Sequence, residues 1–151
     1  MRIDKVGVAD VEGVLPLLRA YCDFYEGNPT DDALRQLVLA LVDDPRHEGV
    51  QLMARAEDGA AVGFATVYWT WSTVRASRLA VLNDLYVVPP YRRHGVAAAL
   101  VERAVDVARD HGAVALCWDT HADNSGARAL YRRLGAVEAT NWVDYELSTA
   151  P

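Results

Sequence analysis

From about residue 50 the hydrophobic pattern of this 151-residue chain changes its period, and it stays changed as far as Val88. Val50–Glu57, Ala60–Trp71 and Arg78–Val88 are rich in Val, Leu, Tyr, Trp and Thr, and read as three consecutive strands. Glu57-Asp58-Gly59 supplies a hairpin turn between the first two. Pro89-Pro90 closes the third, because proline cannot donate to a strand ladder.

Helical spacing surrounds this block. Residues 2–8 alternate weakly as a first strand, and Asp10 then stands as the N-cap of a helix running to about residue 24. Pro16 lies inside that helix, where it removes a hydrogen bond. Thr30 or Asp31 opens a second helix to about Val42. Beyond the strands come a helix from Gly95 to His111, a short apolar strand at Val114–Thr120, a helix from Asp123 to Leu134 and an alternating last strand at Trp142–Leu147. This order predicts an α/β (α+β) fold: one domain over residues 1–151, with a mixed, mostly antiparallel central sheet and helices on both faces.

Fifteen basic against twenty-one acidic side chains leave a net charge of −6. Nucleic acid is excluded as an expected partner, since backbone binding needs clustered cations. The apolar runs fall short of the ~18 residues of a membrane span, and the N-terminus lacks the apolar run of a secretory signal. A cytoplasmic location is expected. Cys22 and Cys117 show no Cys-x-x-Cys spacing and the four histidines show no ligand spacing, so no metal is expected.

Chemistry concentrates where the third strand runs into the following helix, through Arg92-Arg93-His94-Gly95-Val96-Ala97-Ala98. A helix start offers free N–H groups and the positive end of the dipole. Gly95 and Ala97 remove side-chain bulk, so the backbone can close around a pyrophosphate, while Arg92 and Arg93 add charged donors. Downstream, Asn124 is placed to cap a helix, and Tyr131 falls two turns later near the same face.

Leu85-Tyr86-Val87-x-Pro-x-Tyr-Arg followed by Arg-x-x-Gly-x-Ala resembles motif A of the GNAT superfamily of N-acetyltransferases. Two glycine slots of the usual Arg-Gly-x-Gly-x-Gly carry side chains here, at Arg93 and Ala97. Asn124-Ser-Gly-Ala-Arg-Ala-Leu-Tyr131-Arg-Arg-Leu-Gly-Ala136 resembles the superfamily's motif B. Gly63–Trp71 followed by Leu82-Asn83-Asp84-Leu85-Tyr86-Val87 is similar to the diamine acetyltransferase branch, which includes the spermidine/spermine and thialysine enzymes.

The resemblance implies acetyl-CoA as the cofactor. It assigns cofactor binding to Leu85, Tyr86, Val87, Arg92, Arg93, His94, Gly95, Val96, Ala97, Ala98, Asn124, Ala127 and Tyr131. Tyr131 would be the proton donor to the departing thiolate, and the N–H groups of Leu85 to Val87 an oxyanion hole. The acceptor would be a small-molecule amine bound near Tyr25, Glu26, Trp69 and Asn83.

One position departs from the branch, whose glutamate falls at Asn83, and an amide takes no proton at neutral pH. Asp84 is next door, but successive strand residues point to opposite faces unless the strand bulges. Glu26 and His121 are the other candidate bases. Between residues 20 and 48, seven acids (Asp23, Glu26, Asp31, Asp32, Asp43, Asp44, Glu48) face two arginines, a field that favours cationic amines. Tyr21, Phe24, Tyr25, Trp69, Trp71 and Trp142 offer rings for alkyl chains or cations. The expected activity is acetyl transfer from acetyl-CoA to a primary amine in a ternary complex. Competing readings are a protein- or histone-directed N-acetyltransferase and a non-catalytic acyl-CoA-binding domain. A homodimer is compatible with the sequence, which does not decide it.

Overall fold

The computed structural model describes residues 1–139, 141 and 143–149. Its packing divides the chain into two compact units, residues 1–119 and 120–151.

The first unit is built on a five-stranded sheet in the order β1 (Arg2–Lys5), β2 (Gly49–Arg55), β3 (Ala61–Ser72), β4 (Ser77–Val87) and β5 (Leu116–Cys117). The first four strands are antiparallel, and β5 joins β4 in parallel through Ala80↔Leu116 and Val81↔Cys117. The mixed, mostly antiparallel sheet therefore matches the sequence pattern, with the three central strands within two residues of their predicted ends. The first strand is shorter than predicted. So is β5, because its pairing with β4 extends over two residues only.

Three helices cover the sheet. α1 (Val11–Phe24) and α2 (Asp31–Asp43) lie on one face, where Val14, Leu17, Leu18, Leu34 and Val38 pack with Met53 and Phe64. α3 (Val96–Asp110) lies on the other, where a Cβ added at Gly63 would stand 3.4 Å from Leu100. Helices on both faces are thus observed. Pro16 stays inside α1 because it and Glu12, whose carbonyl it leaves without an amide partner, face solvent.

Asp10 occupies the N-cap of α1 without capping it. Its carboxylate turns back to accept from Gly7 N at 3.0 Å and from Arg55 at 2.6 Å, and both partners hold it below the usual carboxylate range. α2 has the cap expected: Thr30 Oγ1 accepts from Ala33 N at 3.1 Å.

The second unit contains α4 (Ser125–Arg133), N-capped by Asn124, whose Oδ1 accepts from Ala127 N at 3.2 Å. The alternating segment at Trp142–Leu147 is not the last strand its pattern predicts. Trp142 lies outside the described residues, and Val143–Leu147 has no strand geometry. Alternation decides which side chains share a face, but a strand also needs a ladder partner. Within this unit the one regular element among the described residues is α4, which offers none.

Candidate active site

Strand β4 carries the most informative irregularity in the sheet. Thr66 pairs with Asp84, but the next residue, Val67, pairs with Leu82, so Asn83 is an extra residue on β4. Such a bulge lets neighbouring side chains lie closer in direction than a regular strand allows. Asn83 and Asp84 accordingly meet: Asn83 Nδ2 donates to Asp84 Oδ1 at 3.0 Å.

On the helix side of the bulge, Asp84 shares a face with Tyr86, Phe64 and Thr66. Above it lies the C-terminal turn of α1. The Tyr21 phenol lies close enough to the Asp84 carboxylate to feel its charge. Burial first, and then that carboxylate, push the Tyr21 phenol well above its usual range, so it remains a donor. Burial and the charge of Asp84 raise the Tyr68 phenol as well. The Cys22 thiol is raised chiefly by burial, with Asp84 and Asp23 contributing and Arg19 opposing.

A chain of rings extends outward from this carboxylate. Tyr86 stands 6.3 Å from Tyr21, Tyr21 is 4.9 Å from Tyr25, and Tyr25 is 5.0 Å from Phe24, centroid to centroid. The outer pair is exposed, Phe24 at 63% and Tyr25 at 53%, so the ring chain leads from solvent to Asp84. Glu26 follows Tyr25 with φ 57°, a left-handed conformation that lets Gly27 N close the helix on Cys22 O at 2.9 Å.

Trp69 is not part of this cluster, contrary to its sequence-based placement beside the acceptor. It pairs with Ala80 on the opposite face of β3 and stacks on His111 at 4.0 Å with the planes 8° apart. Its indole N–H donates to Pro45 O at 2.9 Å. The reason is parity: Trp69 is an odd number of residues from Phe64 and Thr66, on a stretch of β3 with no bulge between them. Trp71 is also occupied, under the Arg78 guanidinium at 4.3 Å.

At the far end of β4, Val88 N donates to Val62 O at 3.0 Å. Counting back by twos, the N–H groups of Tyr86 and Asp84 also face β3, whereas those of Leu85 and Val87 face the other edge. Strand β5 pairs with β4 at Ala80 and Val81, below the bulge, so no strand among the described residues pairs with that edge beside Leu85 and Val87. Of the three N–H groups expected to be free, Tyr86 is thus committed to the ladder.

The turn into α3 suits an anion. No side chain caps α3, in contrast to Thr30 on α2 and Asn124 on α4. The first intrahelical amide bond comes from Ala99 N to Gly95 O, so the N–H groups of Val96, Ala97 and Ala98 have no partner within the helix. A Cβ at Gly95, whose φ is 83°, would meet nothing within 4 Å. The space a pyrophosphate needs is therefore open. Val96 directs its side chain into the core and offers only its backbone.

Arg92 braces the loop. Its Nε donates to Val87 O at 2.9 Å and its guanidinium lies 5.8 Å from the Tyr86 ring. His94 Nδ1 is 2.7 Å from Arg92 O and must donate there, because a carbonyl only accepts. Arg93 adopts φ 64°, where glycine is favoured. The loop geometry survives its non-glycine residue at a cost of about 1–2 kcal/mol.

In the second unit, Tyr131 is half-buried on α4, two turns after the capping Asn124. His121 is exposed, with Nδ1 3.5 Å from Asp123 Oδ1. Glu138, beyond the helix, binds Arg128 at 3.0 Å, which holds its carboxyl below the usual range.

Sequence pattern alone does not single out Gln51, Thr66 or Tyr68, and marks Tyr21 only as a ring. The signal was present as two uncharged polar residues inside the otherwise apolar strands Val50–Ala54 and Gly63–Val67.

Residues 14–136 match the family model described as Acetyltransferase (GNAT) family. The chain is 34% identical over 148 residues to an uncharacterized N-acetyltransferase, YhfO, of Bacillus subtilis, covering 98% of this chain and 97% of that one. It is 33% identical over 84 residues to a thialysine N-epsilon-acetyltransferase of Bos taurus, covering 54% of this chain and 49% of that one. Among solved structures, a probable acetyltransferase superposes with a TM-score of 0.87 at 27% identity, covering 100% of this chain and 99% of its own.

Proposed function

The chain belongs to the GNAT family of acetyl-CoA-dependent N-acetyltransferases, and on that premise we propose that it acetylates a primary amine on a small cationic molecule, by direct attack with both substrates held together. The observation that carries this reading is the bulge at Asn83, which turns Asp84 toward Tyr21 at the inner end of the ring chain.

Each residue has a task in this reading. Acetyl-CoA supplies an acyl group already activated as a thioester. The N–H groups of Val96, Ala97 and Ala98, the bare backbone at Gly95, and Arg93 and His94 hold its pyrophosphate. Arg92 keeps the loop braced through Val87 O. The outward N–H groups of Leu85 and Val87 receive the carbonyl oxygen as it gains negative charge. Asp84 accepts the proton that leaves the amine, taking over from the amide at Asn83, which steadies it from the side. Tyr25 and Glu26 receive the cationic body of the acceptor. Asn124 and Ala127 contact the cofactor arm, and Tyr131 returns a proton to the departing thiolate. The chain then works as one catalytic domain, a reading supported by a family match that runs across both units.

Release of free thiol from acetyl-CoA, followed across a panel of diamines, lysine-like amines, aminoglycosides and peptides, tests the proposal. Turnover is expected on the small di- and polycationic amines. Turnover confined to peptides would replace the acceptor class, and cofactor binding without turnover on any amine would remove the catalytic reading. Tyr131→Phe should lower kcat about 10²-fold or more with acetyl-CoA affinity unchanged, as for loss of a positioned acid.

A further inference from the structure

A row of polar side chains crosses three strands on the face beneath α1 and α2. Gln51 on β2 opposes Thr66 on β3, and Thr66 opposes Asp84 on β4. Directly opposed residues share a face, with Cβ atoms about 4.5–5.5 Å apart. The two inner members are deeply buried, Gln51 at 2% and Thr66 at 0% exposure. They are bonded to each other: Gln51 Nε2 donates to Thr66 Oγ1 at 3.1 Å. The second amide atom, Gln51 Oε1, is buried with no partner.

This arrangement is a liability for folding. An unpaired buried acceptor destabilises, and apolar residues of the same shape would remove the penalty. What the pair offers in return is direction. A threonine hydroxyl has one hydrogen and two acceptor sites. With an acceptor site held by the Gln51 amide, rotation of the hydroxyl is restricted and its hydrogen is left for the other flank, where Asp84 stands.

We propose that Gln51 and Thr66 are positioning residues for Asp84: the Gln51 amide fixes the Thr66 hydroxyl so that its hydrogen is presented to the carboxylate at the bulge. With Asn83 donating as well, the carboxylate is held by two groups. The remaining lone-pair sites, about two of four, leave one oxygen for the acceptor. When the acceptor's N–H bond breaks, the proton moves to that Asp84 oxygen, and the electron pair stays on nitrogen for the attack. This inference rests on the assignment of Asp84 made above.

The test compares Thr66→Val, which keeps the shape and removes the hydroxyl, with Thr66→Ser, which keeps the hydroxyl. Steady-state kinetics, thermal melting and acetyl-CoA calorimetry are measured on each. Thr66→Val should lower kcat about tenfold through misorientation alone, with both KM values within about twofold and an unchanged or higher Tm. Thr66→Ser should recover most of the lost kcat. Combined with Asp84→Asn, Thr66→Val should cost nothing further, because the two act through one group. Should Thr66→Val not fold, Gln51→Leu serves: it leaves the hydroxyl but frees its rotation, and should lower kcat about threefold while raising Tm.

Wild-type kcat in a folded Thr66→Val, or a loss that adds fully to that of Asp84→Asn, would overturn the positioning role while leaving Asp84 in place. A wild-type kcat in Asp84→Asn itself would instead remove the assignment beneath it, and the positioning role with it.

Discussion

The two faces of one sheet are built from opposite materials. Toward α3, the strands present Leu52, Ala54, Ala65, Val67, Ala80, Leu82 and Val87, each no more than 7% exposed, against Leu100, Val101, Ala104, Val107 and Ala108. Toward α1 and α2, the apolar set of Met53 and Phe64 gives way within one residue pair to Gln51, Thr66, Tyr68 and Asp84. The first face is adhesive. The second surrenders part of its adhesion to hold a carboxylate under aromatic rings. Because the same strands carry both, the apolar face must supply the rigidity that the polar face lacks. Substitutions on the two faces should therefore separate activity from stability.

The largest effect belongs to the polar face. Asp84→Asn keeps the volume and the hydrogen-bonding reach of the side chain but accepts no proton at neutral pH. Turnover should fall about 10²–10⁴-fold, with the thermal midpoint and the acetyl-CoA affinity close to those of the parent. A variant that loses stability in step with activity would show that Asp84 serves the fold.

The converse experiment lies across the sheet. Leu100 is fully buried, and its side chain comes within van der Waals reach of a Cβ at Gly63. Leu100→Ala should cost about 2–5 kcal/mol of unfolding free energy in a denaturant titration. The kcat of the protein that remains folded should stay within a few-fold. A selective collapse of kcat would mean that α3 transmits more than support.

How far this division could be read from the chain differs by region. The three central strands were legible because their alternation is long and interrupted by clear turn residues. The bulge left a trace that is visible in retrospect. Ala80 and Leu82 share the α3 face with Leu85 and Val87, although Leu85 lies three positions, an odd number, beyond Leu82. A period of two cannot connect those positions without one slipped residue, and the consecutive polar pair Asn83-Asp84 marks the slip. The placement of Trp69 fails for the complementary reason: it lies in the expected segment, but its parity along β3 turns it to the α3 face, against His111. The last strand failed because alternation is a property of one segment and pairing a property of two. The pyrophosphate loop was legible since its chemistry is backbone chemistry, dictated by where a helix starts.

That loop yields a smaller effect. Arg93 holds a left-handed φ of 64°, so Arg93→Gly removes strain while lowering charge. Unfolding free energy should rise by up to about 1 kcal/mol, partly offset by the greater freedom of glycine in the unfolded chain. Acetyl-CoA affinity should weaken about threefold to tenfold from the lost charge-assisted contact, and calorimetry at two salt concentrations would show the difference narrowing as salt rises. Tighter binding in the glycine variant would mean that loop strain, and not missing charge, limits cofactor capture.

The smallest effect sits at the end of the apolar face, where His111 stacks on Trp69. Its imidazole is held below the ordinary value of 6.5, first by burial and then by the charges of Arg78 and Arg46. The folded chain therefore resists taking a proton that the unfolded chain accepts readily. The stability this group contributes is complete above about pH 6.5, and it is lost as pH falls from there toward the lower folded value. Between pH 7 and 5, the denaturant midpoint of the parent should decline, while His111→Phe, which keeps a ring against Trp69, should flatten that decline. The carboxylates whose values are displaced, Asp10, Glu12 and Glu138, start from 3.8 to 4.5 and are lowered further, so their titration falls below this window. An unchanged slope in His111→Phe would place the acid sensitivity elsewhere. A flattened slope with kcat unaltered at pH 7 would show that even a titratable group at this end of the apolar face serves cohesion, as the division between the faces requires.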